Sequence, residues 1–146
     1  MNDAVPSSNP APFTALRDLA EFRFRLRIFL SFSESSAERH GIQAQQYQLM
    51  QVIASLPSDQ QASISFLAER MVLRHNSTVE LVDRAEKAGL VARQSDPRDL
   101  RRSLVKLTPE GEHIMRIMVT EHVAELKRLG PEIMSALEAV INSETP

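Results

Sequence analysis

The chain has no cysteine in its 146 residues. Disulfides and a thiol redox switch are therefore excluded, and with them peroxide sensing through cysteine. No apolar run approaches the roughly 20 residues that a membrane-spanning helix needs. The N-terminus carries Asp3 and lacks a basic start ahead of an apolar core, so no signal peptide is expected and the chain reads as cytoplasmic. There is no glycine-rich phosphate loop. Charge is nearly balanced, 17 Lys and Arg against 19 Asp and Glu, for a net −2. The length allows one domain with a good core.

What is present is concentrated between Ser63 and Thr108. Ser63 or Ser65 can cap a first short helix, because a hydroxyl accepts from a free backbone N–H. Phe66 or Leu67, with Ala68 and Met71, give that helix a buried stripe. A break falls at Val72, Leu73 and Arg74. A second helix runs to about Ala88 and stops at Gly89, a residue suited to the position just past a helix end. Its inward positions are Thr78, Leu81, Val82 and Ala85, at helical spacing. Asn76, Val79, Glu80 and Asp83 fall on the opposite face, with His75 and Ser77 at the entry and Arg84 and Lys87 towards the far end.

Two short strands are expected next, Leu90 to Gln94 and Ser103 to Leu107, rich in apolar and β-branched residues. The loop between them holds Asp96, Pro97, Arg98, Asp99, Arg101 and Arg102. Asp-Pro opens a turn because proline presets φ, and Asp96 and Asp99 can hold the loop through bonds to nearby backbone. Arg98, Arg101 and Arg102 would then project from the tip. Taken alone, such a hairpin is as readily a solvated turn as a DNA contact. Following a helix–turn–helix, it reads as a winged helix, with one helix for the major groove and arginines for a narrow minor groove.

The pieces LAERM, NSTVELVDRAEKAGLV and DPRDLRRSLVKLTPEG resemble the multiple antibiotic resistance regulator (MarR) family of bacterial transcription factors. The last is the most specific, with its Asp-x-Arg wing ending at Arg101 and its Leu-Thr-x-x-Gly helix start. The resemblance implies a homodimeric repressor on a pseudo-palindromic site in double-stranded DNA, released by small, often aromatic or phenolic, effectors. It implies that the second helix enters the major groove and that Arg101 enters the minor groove. Three departures stand out. Val72 sits where the family's turn usually holds glycine, and a β-branched residue resists positive φ, which predicts a different turn geometry. Arg74 occupies the usual Ser/Thr cap position, which leaves Asn76 as an alternative cap and a shorter helix. Glu80 and Asp83 make the groove face less basic, shifting phosphate binding onto the wing and Arg84.

Around this segment the chain reads as helical. Residues 1–12, with Pro6, Pro10 and Pro12 among Ser, Asn and Ala, read as a disordered tail. A long helix is expected over 13–40, with two apolar stripes: Phe13, Leu16, Leu19, Phe22, Leu26 and Phe29, then Phe24, Ile28 and Phe32. Two stripes imply burial on two sides, one of them against a partner subunit. Gln43 to Leu56 reads as a second helix with Tyr47, Met50, Ile53 and Ala54 inward. Thr108 caps a long helix with Pro109 at its first position. That helix carries Ile114, Met118, His122, Leu126 and Leu129 to Gly130, and Pro131 opens a last short helix. The fold class is thus mainly α (α+β winged helix). Within a single domain over 13–146, a winged helix-turn-helix over 43–107 is flanked by dimerisation helices at 13–40 and 108–146.

Charge supports this division: from Arg70 to Lys106 there are nine basic and five acidic residues, or +4, leaving −6 elsewhere. Other chemistry is poorly supported. Glu110 and His113 share a helical face, but with His122 they fall short of a metal site, and no cofactor is called for. His75, Ser77 and Asp83 on one rigid helix cannot assemble a triad. The candidate DNA-contacting residues are therefore His75, Asn76, Ser77, Val79, Glu80, Arg84, Arg98, Arg101 and Arg102. Phe22, Leu26, Phe29, Tyr47 and Met50 are candidates to line an effector pocket, though ordinary core packing explains each singly. The rival from another class is a winged-helix protein-interaction module that binds no DNA.

Overall fold

The structure is a computed structural model that describes residues 14–144. The expected tail over 1–12 and the first stripe position, Phe13, lie outside these residues. The elements in order are α1 Thr14–Arg39, α2 Ala44–Ala54, β1 Ala62–Ser63, α3 Ile64–Met71, α4 His75–Lys87, β2 Val91–Asp96, β3 Asp99–Leu107 and α5 Pro109–Asn142. The fold is mostly helical with one small antiparallel sheet of order β1-β3-β2. It falls into two compact units, Ser33–His122 and a second drawn from residues 14–32 and 123–144.

The core of the first unit is built from every element of the winged segment. Leu49, Met50 and Ile53 of α2 meet Leu67 of α3, Leu81, Val82 and Ala85 of α4, and Leu90, Val91 and Val105 beside and within the sheet. Thr78, Leu81, Val82 and Ala85 are all buried, as their spacing predicts. Burying each large aliphatic side chain contributes about 1.5–3 kcal/mol, so this stripe, more than helix propensity, holds α4 in place. On α2 the buried residues are Gln46, Tyr47, Leu49, Met50 and Ile53; Ala54, the last residue of the helix, is exposed, against the expectation that it faces inward.

Of the two candidate caps for α3, Ser63 is the one used: its Oγ accepts from Phe66 N at 3.1 Å. The turn after α3 departs from the sequence expectation. Val72 does adopt the left-handed conformation, φ 54 and ψ 45, so the turn keeps the geometry that glycine would give it. Leu73 N bonds Ala68 O at 3.0 Å and holds the turn closed. The side chain is 87 % exposed, so no packing compensates for the strained backbone. Nor does Asn76 cap a shortened α4. The helix starts at His75 with Arg74 as its N-cap residue and no side-chain cap. Thr78 closes the first turn instead, its N and Oγ1 both donating to Arg74 O, at 3.0 and 2.9 Å, while the free N–H groups of that turn have no side-chain cap.

The hairpin is longer and its loop far shorter than expected. Ser95 pairs with Ser103 and Asp96 with Asp99, leaving only Pro97 and Arg98 in the turn, with a register irregularity at Ser95/Asp96. Arg101 and Arg102 therefore stand on β3 itself, and Arg98 alone of the three arginines is at the tip. Proline's fixed φ suits the turn, and the bulge absorbs the mismatch in register.

Thr108 caps α5 as its hydroxyl predicts, accepting from Gly111 N at 3.0 Å and donating to Gly89 O at 2.6 Å. The expected break at Gly130 and Pro131 does not occur; α5 is one helix with Pro131 inside it. Leu129 and Ala136, two turns apart on one face, are both buried, and that continuous stripe outweighs the one hydrogen bond proline removes. In the second unit, Arg25 bonds Glu21 at 2.7 Å and Glu132 at 2.6 Å. Apolar side chains there stay open within one chain, among them Leu16, Leu19, Phe24, Met134 and Ile141. In the first unit, His122 is buried, bonding Met118 O at 2.7 Å and Ser33 Oγ at 2.9 Å, and it stacks on Tyr47 with ring centroids 4.5 Å apart. Burial pushes the Tyr47 hydroxyl pKa up, and that hydroxyl has no hydrogen-bond partner.

Two expectations follow. Val72→Gly relieves a left-handed β-branched residue, worth about 1–2 kcal/mol, against about 0.5–1 kcal/mol of added unfolded-chain entropy. A net gain of roughly 0.5–1 kcal/mol should appear as a higher urea midpoint with an unchanged slope. The second concerns Glu121, whose carboxyl is held below the usual carboxylate range, chiefly by the Ser36 hydroxyl at 2.5 Å and then by His40, with burial opposing. A depressed carboxylate stabilises above its unfolded pKa, near 4.5, and loses that contribution as pH falls through its folded value. Ser36→Ala should therefore lower stability at neutral pH and flatten its further loss on acidification below that range, as read from urea midpoints across pH.

Candidate nucleic-acid interface

Because α4 buries one stripe in the core, its other face is left to solvent. His75, Asn76, Ser77, Glu80 and Arg84 are exposed and Val79 is half-exposed. The exposed run begins at the helix N-terminus, where free N–H groups and the helix dipole favour anions.

The β2–β3 hairpin brings its arginines to the same side. A cleft of about 220 Å³ is lined by His75 and Val79 of α4, by Arg93 of β2, and by Arg101, Arg102 and Ser103 of β3, with Ser63, Ile64 and Ser65 closing it. Of the nine predicted contact residues, His75, Val79, Arg101 and Arg102 are thus gathered round one cleft. Arg98 lines a separate recess with Asp59, Gln60, Gln61, Asp96 and Arg102. Asn76, Ser77, Glu80 and Arg84 line neither of these two recesses.

The aspartates of the turn do the work their positions suggest. Asp96 Oδ1 accepts from Arg98 N at 2.9 Å, and Asp99 Oδ1 accepts from Arg101 N at 3.1 Å. The same Asp99 oxygen holds Arg101 Nε at 3.3 Å, while the Arg101 side chain remains 93 % exposed. Arg101 is therefore aimed by its neighbour and still free to meet a partner. A surface pair of this kind adds little to stability, so its consequence is orientation.

Arg93 is the residue the sequence reading missed. Its guanidinium pairs with the Asp83 carboxylate and donates to Val79 O at 3.3 Å, and its backbone N donates to Glu86 Oε2 at 2.9 Å. Asp83 is thus not a bare negative charge on the groove face. The available signal was an arginine on a strand that immediately follows a helix carrying two acids on one stripe. Of the five candidate pocket residues, Met50 is fully buried in the core and Tyr47 is stacked on His122, while Phe22, Leu26 and Phe29 are half-buried on α1.

Residues 40–102 match the model of the MarR family. The chain is 33 % identical over 89 residues to a putative transcriptional regulatory protein for the hcr operon of Thauera aromatica, covering 61 % of this chain and 52 % of that protein. It is 41 % identical over 70 residues to the transcriptional regulator HosA of Escherichia coli O111:H-, covering 48 % of this chain and 50 % of that protein. The chain thus spans about half the length of the curated relatives it matches. In fold it is similar to AbsC, a MarR family transcriptional regulator from Streptomyces coelicolor. That likeness has a TM-score of 0.71 at 23 % identity over 88 % of this chain and 87 % of that one. The family's members are transcriptional regulators and not enzymes. Over its winged helix-turn-helix, residues 40–102, this chain matches the MarR family model, and its fold is similar to that of a MarR family regulator.

Proposed function

We propose that the protein is a sequence-specific, DNA-binding transcriptional regulator acting in the cytoplasm as a homodimeric repressor. The observation that carries this reading is the convergence of His75 and Val79 with Arg101 and Arg102 on one cleft. It lies in a segment whose net charge is +4 on an otherwise acidic chain. Such a footprint raises the local concentration of a polyanion and sets its orientation. In this reading α4 lies in the major groove. His75, Asn76, Ser77 and Val79 approach base edges, with Val79 available to a thymine methyl. Arg84 and Arg98 reach phosphates, Glu80 edges the groove, and Arg101 enters the minor groove with Arg102 beside it. Among the described residues no helix is long and apolar enough to cross a membrane.

The dimer rests on the second unit. Leu16 is 62 % exposed, Met134 71 % and Ile141 72 %. Apolar surface concentrated on two long helices marks an interaction site. A second copy related by a two-fold axis would cover the same patch on both chains, and would present two α4 helices to the two halves of a pseudo-palindromic operator. Release by a small aromatic or phenolic ligand is part of the proposal. It is supported by the buried, partnerless hydroxyl of Tyr47.

The purified protein should scatter light as a dimer at micromolar concentration, and removal of Pro131 to Pro146 should abolish the dimer or its solubility. A well-folded monomer would refute the assembly. Arg101→Ala should cost about 1–3 kcal/mol of operator affinity and lower the salt slope by about one, with the fold intact. Fluorescence anisotropy over a salt series reads both effects. Affinity equal to the parent's at every salt concentration would remove the wing from the interface. No salt-dependent DNA binding by the parent would leave a protein-interaction module instead.

A further inference from the structure

We propose that Arg93 and Asp83 form a latch that sets the angle of the wing against α4, so that helix and wing meet DNA as one rigid reader. The proposal rests on the DNA-binding reading above. Arg93 makes three bonds to a single face of α4: its backbone N to Glu86, its guanidinium to the Val79 carbonyl and to the Asp83 carboxylate. Val79, Asp83 and Glu86 are spaced by four and by three residues, so they form one stripe along the helix. Both guanidinium bonds come from one nitrogen, Nη2, which is held between a carboxylate and a helix carbonyl, and the backbone bond to Glu86 fixes the same residue at a third point.

On its other edge the same strand carries the wing. Arg93 pairs with Val105, Gln94 with Leu104 and Ser95 with Ser103, and Arg101 lies two residues further along β3. A turn of the hairpin about α4 would have to break the Arg93 bonds. Only 29 % of the Arg93 side chain is exposed, and its Nε is buried without a partner. Reaching out to a phosphate would sacrifice the contacts to Asp83 and Val79. Arg93 is therefore a positioning residue, and the contact falls to Arg101. Without the latch, DNA would have to order the hairpin on binding, at an entropic cost that weakens the complex.

The test turns on Asp83, because simple electrostatics and the latch predict opposite signs. Asp83→Asn removes a negative charge beside the DNA face, which alone would tighten binding. The latch predicts weaker binding, by roughly fivefold or more, through loss of preorganisation. The probe is the duplex that the parent selects from a random library, titrated by anisotropy over a salt series. Amide hydrogen exchange of 91–107 is followed in the free protein. Asp83→Asn and Arg93→Lys should both weaken binding with the parent's salt slope and speed exchange in the hairpin, while the amides of α2 and α4 stay protected. Asp83→Glu should recover most of the affinity. Binding by Asp83→Asn as tight as the parent's or tighter overturns the latch. So does a salt slope lowered by about one in Arg93→Lys with hairpin exchange unchanged, since that marks a direct phosphate contact. If the parent selects no sequence, the DNA-binding reading fails. The exchange experiment then still decides the latch, and unchanged hairpin protection in both variants refutes it.

Discussion

The winged unit depends on one tie, where the end of α4, the start of β2, the end of β3 and the start of α5 meet. Thr108 N donates to Leu90 O at 3.1 Å, Thr108 Oγ1 donates to Gly89 O, and Gly111 N donates back to Thr108 Oγ1. The fit is close enough that a Cβ at Gly111 would stand 2.1 Å from Leu90 O, so only glycine allows α5 to start there. Gly89, at φ 76, turns the chain out of α4 and into β2. One hydroxyl thereby serves as cap, as strand terminator and as the clamp on a helix end.

From that tie outward, the interface is assembled in steps of decreasing burial. The core stripe of α4 fixes which face looks outward. Arg93, partly buried, links that helix to the hairpin. Asp96 and Asp99, nearer the surface, order the turn and the Arg101 backbone. Arg101 itself is almost wholly in solvent. Such an order suits a surface that must meet a charged polymer. The residues that define geometry are paired within the protein, and those proposed to make contact remain exposed to solvent. The acidic residues among the basic ones serve this arrangement, since Asp83, Asp96 and Asp99 each hold an arginine or its backbone in place.

Two places show tertiary structure overruling local preference. Val72 occupies a left-handed position that its branching disfavours, because the Leu73 bond to Ala68 and the burial of α3 and α4 on either side require a sharp turn of that hand. Pro131 sits within a continuous helix because Leu129 and Ala136 are both buried on one face. In each case a local term of about 1–3 kcal/mol is opposed by packing spread over several residues.

The chain's local chemistry determined the winged helix. Periodicity marked the buried face of α4, Gly89 its end, Asp-Pro the turn, and Thr-Pro the start of α5. All of these are signals read within a few residues, where spacing and backbone preference act directly. Which of His75, Asn76, Val79 and the arginines would share a cleft was decided only by tertiary structure, because that depends on the angle between a helix and a ribbon. The hairpin's true length was decided by pairing across the strands, since charged residues such as Arg101 and Arg102 fit an exposed strand as readily as a loop. The role of Arg93 was settled the same way. An arginine on a strand can face solvent or an acid, and its partner, ten residues away, becomes a neighbour only when β2 folds back along α4.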